Sequence, residues 1–157
     1  LGLSQISVGV ASAEGTMPSA LAKIGKTYKD TAKLQQAAAD VTEHYEEGKA
    51  APEVRKKQKK MPVLTFSIMD PDAELMAKYI GGSSDSGKWG YDGDEEVANA
   101  AIHVESEQGL CFDIPNGDIE AVINADMSAK GILLVDFTVT PCAVTSGKAI
   151  RATPKSE

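Results

Sequence analysis

Apolar and polar residues alternate in a series of short runs, and a period of two leaves a chain few options other than strands with one buried face. Val63–Met69 is the cleanest run, with Leu64, Phe66 and Ile68 on one side and Val63, Thr65, Ser67 and Met69 on the other. Ile132–Thr140 repeats the pattern, setting Leu133, Val135, Phe137 and Val139 against Asp136 and Thr138. Leu3–Val10, Val97–Val104 and Leu110–Ile114 read the same way, as does Ile119–Met127, where Ile119, Ala121, Ile123, Ala125 and Met127 share a face. Leu21–Tyr28 is a strand weakened by Gly25, Ala149–Ala152 is a last edge strand, and Thr153–Glu157 is a tail. Turn chemistry falls between the runs: Gly15 and Pro18 within Ala11–Pro18, Pro115-Asn116-Gly117-Asp118, and Gly131. The pattern predicts a mainly β domain, two packed antiparallel sheets forming a sandwich or partly closed barrel. The 157 residues fit one domain, and only 5% are aromatic, so its core must be largely aliphatic.

One helix is expected, over about 70–80. Asp70 can cap it, Pro71 suits the first helical position, and acidic residues favour the positive end of the helix dipole. Ala73, Met76, Ala77 and Ile80 form its apolar face, and Gly81-Gly82 stops it. Gly82–Gly93 then reads as a flexible loop anchored by Trp89 and Tyr91.

Residues 29–62 break the pattern. Thr31–Val41 is rich in Ala and Gln and suits a short helix with a thin apolar face of Leu34 and Val41. An acidic cluster with Glu43, Glu46 and Glu47 follows, then a basic run of Arg55, Lys56, Lys57, Lys59 and Lys60, bracketed by Pro52 and Pro62. So long a connection with so little core content is functional or disordered. The basic run has three readings: a nucleic-acid or membrane patch, an arm docking on an acidic surface of a neighbouring copy, or a solvated loop.

Charge limits these readings. The net charge of −7 argues against general nucleic-acid binding. Residues 1–69 carry ten Lys and Arg against seven Asp and Glu, whereas residues 70–157 carry six against sixteen. Such an asymmetry suits head-to-tail contact between copies, or is merely the way solvated charges fell.

Catalytic and metal-binding patterns are missing. His44 lies among glutamates and His103 within a strand, neither in a metal-ligand spacing. There is no nucleophile elbow or phosphate-binding glycine loop, and Gly81-Gly82-Ser83-Ser84 follows a helix rather than preceding one. Asp92-Gly93-Asp94-Glu95-Glu96 has the carboxylates of a calcium loop but not their order, so it reads as a solvated acidic loop. No enzyme activity, cofactor or metal is expected. Cys111 and Cys142 match no zinc or redox spacing and read as reduced core residues, the alternative being a disulfide. No stretch is long enough to span a membrane, no signal peptide is visible, and a start at Leu1 leaves room for a missing or processed N-terminus.

The order of these features resembles the major tail tube proteins of long-tailed phages, especially those of Bacteroides-type phages and prophages. The resemblance is carried by Gly15-Thr16-Met17-Pro18, Ile24-Gly25-Lys26-Thr27-Tyr28, and Thr42-Glu43 with Glu46-Glu47-Gly48 ahead of Pro52. Leu64–Asp72 leading to Tyr79-Ile80-Gly81-Gly82 and Ile132–Thr140 before Pro141 continue it. It implies hexameric rings that stack into a tube conducting DNA, contacts with other tail proteins, a place in a virion assembled in the bacterial cytoplasm, and residues 29–62 as the assembly arm. The type VI secretion tube protein shares that architecture and is the neighbouring alternative. A monomeric β-sandwich binding module presenting Trp89 and Tyr91 is the alternative from another class.

Overall fold

The computed structural model describes residues 1–156. The chain is mainly β. Its strands are β1 (Leu3–Val10), β2 (Ala22–Lys23), β3 (Lys26–Thr27), β4 (Lys33–Gln35), β5 (Asp40–His44), β6 (Val54–Gln58) and β7 (Val63–Met69). After the helix α1 (Ala73–Tyr79) come β8 (Ser83–Asp85), β9 (Lys88–Gly90), β10 (Ala98–Ser106), β11 (Leu110–Ala125), β12 (Leu133–Pro141) and β13 (Arg151–Pro154). A large curled antiparallel sheet in the order β2-β1-β10-β11-β12-β7-β3 forms a half-barrel. β4 adds to β7 and β13 to β11, while β5–β6 and β8–β9 are separate two-stranded ribbons.

The alternating runs do what their period requires. Ile6, Leu64, Phe66, Ile68, Ile102, Val135, Phe137 and Val139 are all buried in one cluster. Phe66 and Phe137 oppose each other across β7 and β12 and stack with centroids 5.1 Å apart. The Tyr79 ring of α1 meets Phe137 edge-on at 5.3 Å. Leu75, Met76 and Ile80 also pack on the core, so α1 covers part of the sheet's inner face.

Several local expectations change. Pro115-Asn116-Gly117-Asp118 does not turn the chain; it lies inside the continuous strand β11. Its polar groups find other partners: Ser12 N donates to Pro115 O at 3.0 Å, and Cys142 N to Asn116 O at 2.8 Å. Against β10 the register slips there, since Ala100 faces Gly117 but Ile102 faces Ile114. This is a bulge, which bends a strand and increases its twist. Gly117 also lets β12 pack close, because a Cβ there would stand 2.6 Å from Val139 Cγ1. The helix is capped by Asp72, whose carboxylate accepts from Leu75 N at 2.8 Å. Asp70 instead takes a left-handed turn at φ 52°, which puts Pro71 outside the helix.

Leu21–Tyr28 divides at Gly25 into β2, which pairs with β1, and β3, which pairs with β7. One short segment therefore bridges the two edges of the half-barrel. The 82–93 loop contains the β8–β9 hairpin. The last strand begins at Arg151, so Thr153 belongs to β13; the final residue of the expected tail, Glu157, lies outside the described residues. Ile123, expected in the core, is 44% exposed, and Met127 is 90% exposed, because β11 runs past the buried region after Ala121. Cys111 is buried and Cys142 half-buried, both as free thiols.

This core makes an unequal prediction for two apolar side chains. Phe137→Ala is expected to cost about 3–5 kcal/mol in urea unfolding. Ile123→Ala is expected to cost no more than about 0.5 kcal/mol. Equal losses would mean that the inner face has been wrongly assigned.

Candidate assembly arm

The 29–62 connection is not a helix followed by a loop. Thr31–Val41 contributes β4 and the start of β5. Ala and Gln favour helix, but β4 is captured by the edge of β7, where Leu34 faces the buried Leu64. Gln35 opposes Val63, and five residues further on each strand Asp40 opposes Gln58. The register is thus continuous from Lys33–Thr65 to His44–Val54, and the whole segment is one long β-ribbon interrupted between its inner and outer parts. The outer part ends at His44, nine residues beyond Gln35, which at strand rise is about 30 Å.

The ribbon's faces follow from its register. Val41, Glu43, Arg55 and Lys57 share one face; Asp40, Thr42, His44, Val54, Lys56 and Gln58 share the other. Every residue from His44 to Met61 is exposed, as are Asp40, Val41 and Thr42; only Glu43 is half-buried. Neither face is covered by the body of the domain. At the root, Gln36 Nε2 donates to Lys60 O at 2.7 Å. At the tip, Glu53 N donates to His44 O at 2.8 Å.

The charged residues singled out from sequence do not behave alike. Arg55 Nε donates to Glu43 Oε1 at 2.8 Å, and the Tyr45 hydroxyl donates to the other oxygen of the same carboxylate. The Tyr45 hydrogen bond, then Arg55, hold the Glu43 carboxyl below its ordinary pKa; the same carboxylate pushes the Tyr45 phenol up. Lys60 reaches Asp40 at 3.4 Å, and Lys49 bridges Glu46 and Glu53. The acidic and basic halves therefore pair partly with each other across the ribbon. Among the described residues, Lys56, Lys57, Lys59 and Glu47 make no ion pair. Tyr45 and Asp40 escaped sequence reasoning because their roles depend on cross-strand register.

Elsewhere, the half-barrel encloses a cavity of about 700 Å³ that opens to solvent. Leu3, Leu34, Leu64, Val104, Phe112 and Ile114 line it, and Lys23, Lys26, Lys29 and Lys33 stand around it. No residue of α1 contributes to it. The lysines follow one another at three- and four-residue intervals in the sequence, but only the curl of the sheet shows that they share a rim. Trp89 is half-buried and away from this cavity. Its Nε1 donates to Gly81 O at 2.9 Å and its ring stacks on Tyr91, tying the β8–β9 hairpin to the end of α1.

His103 Nδ1 and Asp113 Oδ1 are 2.5 Å apart on facing positions of β10 and β11, so this histidine is satisfied across the sheet. Among the described residues no group of three or more His, Cys, Asp or Glu could hold a metal ion. No helix among them is long and apolar enough to cross a membrane. No family model matches the chain, and no curated protein matches it.

The Glu43 clamp gives the arm a pH response. A carboxyl whose folded pKa is depressed contributes stability above its unfolded pKa and loses it as pH falls through the folded value. Arm amides between Asp40 and Gln58 should therefore exchange faster as pH drops below the ordinary glutamate range, after correction for intrinsic rates, while core amides in β7 and β12 stay protected. Glu43→Gln should make the arm's protection less responsive over that window. An arm that opens in step with the core would contradict this.

Proposed function

We propose that the chain is a self-assembling structural subunit of the phage tail-tube type, with the 33–65 ribbon as its assembly arm. The observation that carries the proposal is the exposure of the arm on both faces. An isolated two-stranded hairpin is marginally stable in water, because it fixes backbone without burying a core. Its exposed ion pairs add little. A ribbon of this length needs an outer surface to pack on, and a second copy is always present at matching concentration. Lys56, Lys57 and Lys59, without anionic partners among the described residues, are the charges available for that contact.

The half-barrel is compatible with the tail-tube architecture. Buried side chains from β1 and β10 meet those from β7 and β12 in one cluster, which supports two packed layers joined through the bent β11. In this reading the subunits form hexameric rings, the rings stack, and DNA passes along the lumen. An acidic lumen would favour passage, since carboxylates repel phosphates where lysines would hold them. The same surfaces would serve a secretion-type tube. The binding-module alternative rested on Trp89 presented beside a pocket; Trp89 is instead engaged with Gly81 and Tyr91, which removes that support.

The test is the mass in solution across protein and salt concentrations, with negative-stain microscopy of concentrated protein. Rings or tubes are expected. Replacing Lys56, Lys57 and Lys59 together by Glu should weaken assembly while leaving the circular dichroism spectrum and unfolding midpoint of the subunit in place. Lys60 is omitted because it is held by Asp40. A strict monomer under all conditions would refute the proposal, and unimpaired assembly of the triple variant would remove the docking role of those lysines.

A further inference from the structure

The arm has a tip and the half-barrel has a mouth, and both are left unfinished within one subunit. We infer that the tip of the arm of one copy seats in the lysine-rimmed mouth of another. This rests on the self-assembly reading above and names the two surfaces that would meet.

The mouth is apolar inside and basic outside. Its lining includes Leu3, Leu34, Val104 and Phe112, none of which is fully buried. Around it Lys23, Lys26, Lys29 and Lys33 are all exposed, against Asp30 and Glu107. Lys26 alone has an ion-pair partner among the described residues, Asp70 at 3.4 Å, and both of those side chains are largely solvated. An apolar concavity of about 700 Å³ left open to water is a surface that gains from being covered.

The tip has the complementary character. Between Tyr45 and Val54 it carries Glu46, Glu47 and Glu53 against Lys49 alone. Its apolar groups are Tyr45, 55% exposed, Val54, 45% exposed, and Ala50, Ala51 and Pro52 between them. An acidic, amphipathic tip thus matches a basic, apolar mouth in both charge and polarity, which steers docking and fixes its register. The match cannot be made within one subunit. Leu34 and Leu64, at the root of the arm, themselves line the mouth. The tip is carried about 30 Å away along a ribbon in unbroken register. The partner is therefore a second copy. Tip and mouth are different patches, so the contact is head-to-tail and propagates into a ring or filament.

Cross-linking tests this directly. In a Cys142→Ser background, Cys111 being buried, Ala50→Cys places a thiol on the tip and Lys29→Cys places one on the rim. A mixture of the two single variants, assembled and treated with a short bismaleimide, should give a tip-to-rim dimer, whereas neither variant alone should give one efficiently. Combined Lys23→Glu, Lys29→Glu and Lys33→Glu should abolish assembly of the otherwise unmodified chain. Adding Glu46→Lys, Glu47→Lys and Glu53→Lys should restore it. Rings without the tip-to-rim cross-link would overturn this inference and leave the subunit reading standing. A chain that stays monomeric and takes up a fluorescent long-chain fatty acid into the cavity would overturn both, assigning the mouth to an amphipathic anion.

Discussion

The curvature of this domain depends on the bend of β11 at Pro115–Gly117. On one edge the strand follows β10 through a bulge; on the other it changes partner, from β13 over Leu110–Asp113 to β12 over Gly117–Ala125. A flat strand would hold one partner along each edge and leave the sheet open. The bend lets Ile114 and Ile119 both point inward, although they are five positions apart and strict alternation would put them on opposite faces. Pro115 is fully buried at the bend, where it has no N–H to leave unpaired, and its carbonyl accepts from Ser12. The inner cluster, the edge-on contact of Tyr79 with Phe137 and the open mouth all follow from this curl. So does the bridging of both sheet edges by the segment that holds β2 and β3.

The arm obeys a different economy. The core strands gain stability from side chains, whereas β5 and β6 gain almost nothing from theirs within the subunit. Register alone organises them, transmitted outward from β4 and β7, where Leu34 lies over Leu64. The Glu43 cluster then holds the outer part, with one carboxylate accepting from both Tyr45 and Arg55. Such a clamp specifies geometry more than it adds free energy, because exposed ion pairs are screened by water and salt. An arm organised in this way can be shaped before it docks, and it then loses less conformational entropy on binding than a disordered segment would.

Sequence reading succeeded where one face of a strand is buried. The alternation in Val63–Met69 and Ile132–Thr140 survives in the structure because a slip of one residue would expose Phe66 or Phe137; in Leu3–Val10 it holds only in part, since Ser7 is buried beside Ile6 and Val10 is 82% exposed. It failed where pairing is decided at a distance. Ala37, Ala38 and Ala39 speak for helix, but their neighbours on both sides are held in one register by β6 and β7. Pro115-Asn116-Gly117-Asp118 has the composition of a turn, but it lies within a bulged strand to which Ser12 and Cys142 supply hydrogen bonds. At the candidate site the charge run was visible, whereas its internal pairing was not. Glu43 with Arg55 and Asp40 with Lys60 are joined across the ribbon, and only the hairpin register reveals which charges remain for a partner.

That remainder changes what the charge asymmetry of the chain can mean. Read along the sequence, the basic run looks like one patch of five cations. In three dimensions Arg55 and Lys60 are occupied, Lys56 and Lys57 lie on opposite faces of the ribbon, and a second basic set surrounds the mouth of the half-barrel. A single cationic patch would favour any polyanion, nucleic acid included. Cations divided between two faces of a projecting ribbon and the rim of an apolar cavity favour partners that meet them at several places at once. A protein surface with fixed geometry satisfies that condition better than a flexible polyanion, and a second copy of the same subunit supplies both the acidic tip and the apolar side chains needed. Salt should then weaken such an assembly only in part, because the apolar component of tip and mouth is not screened.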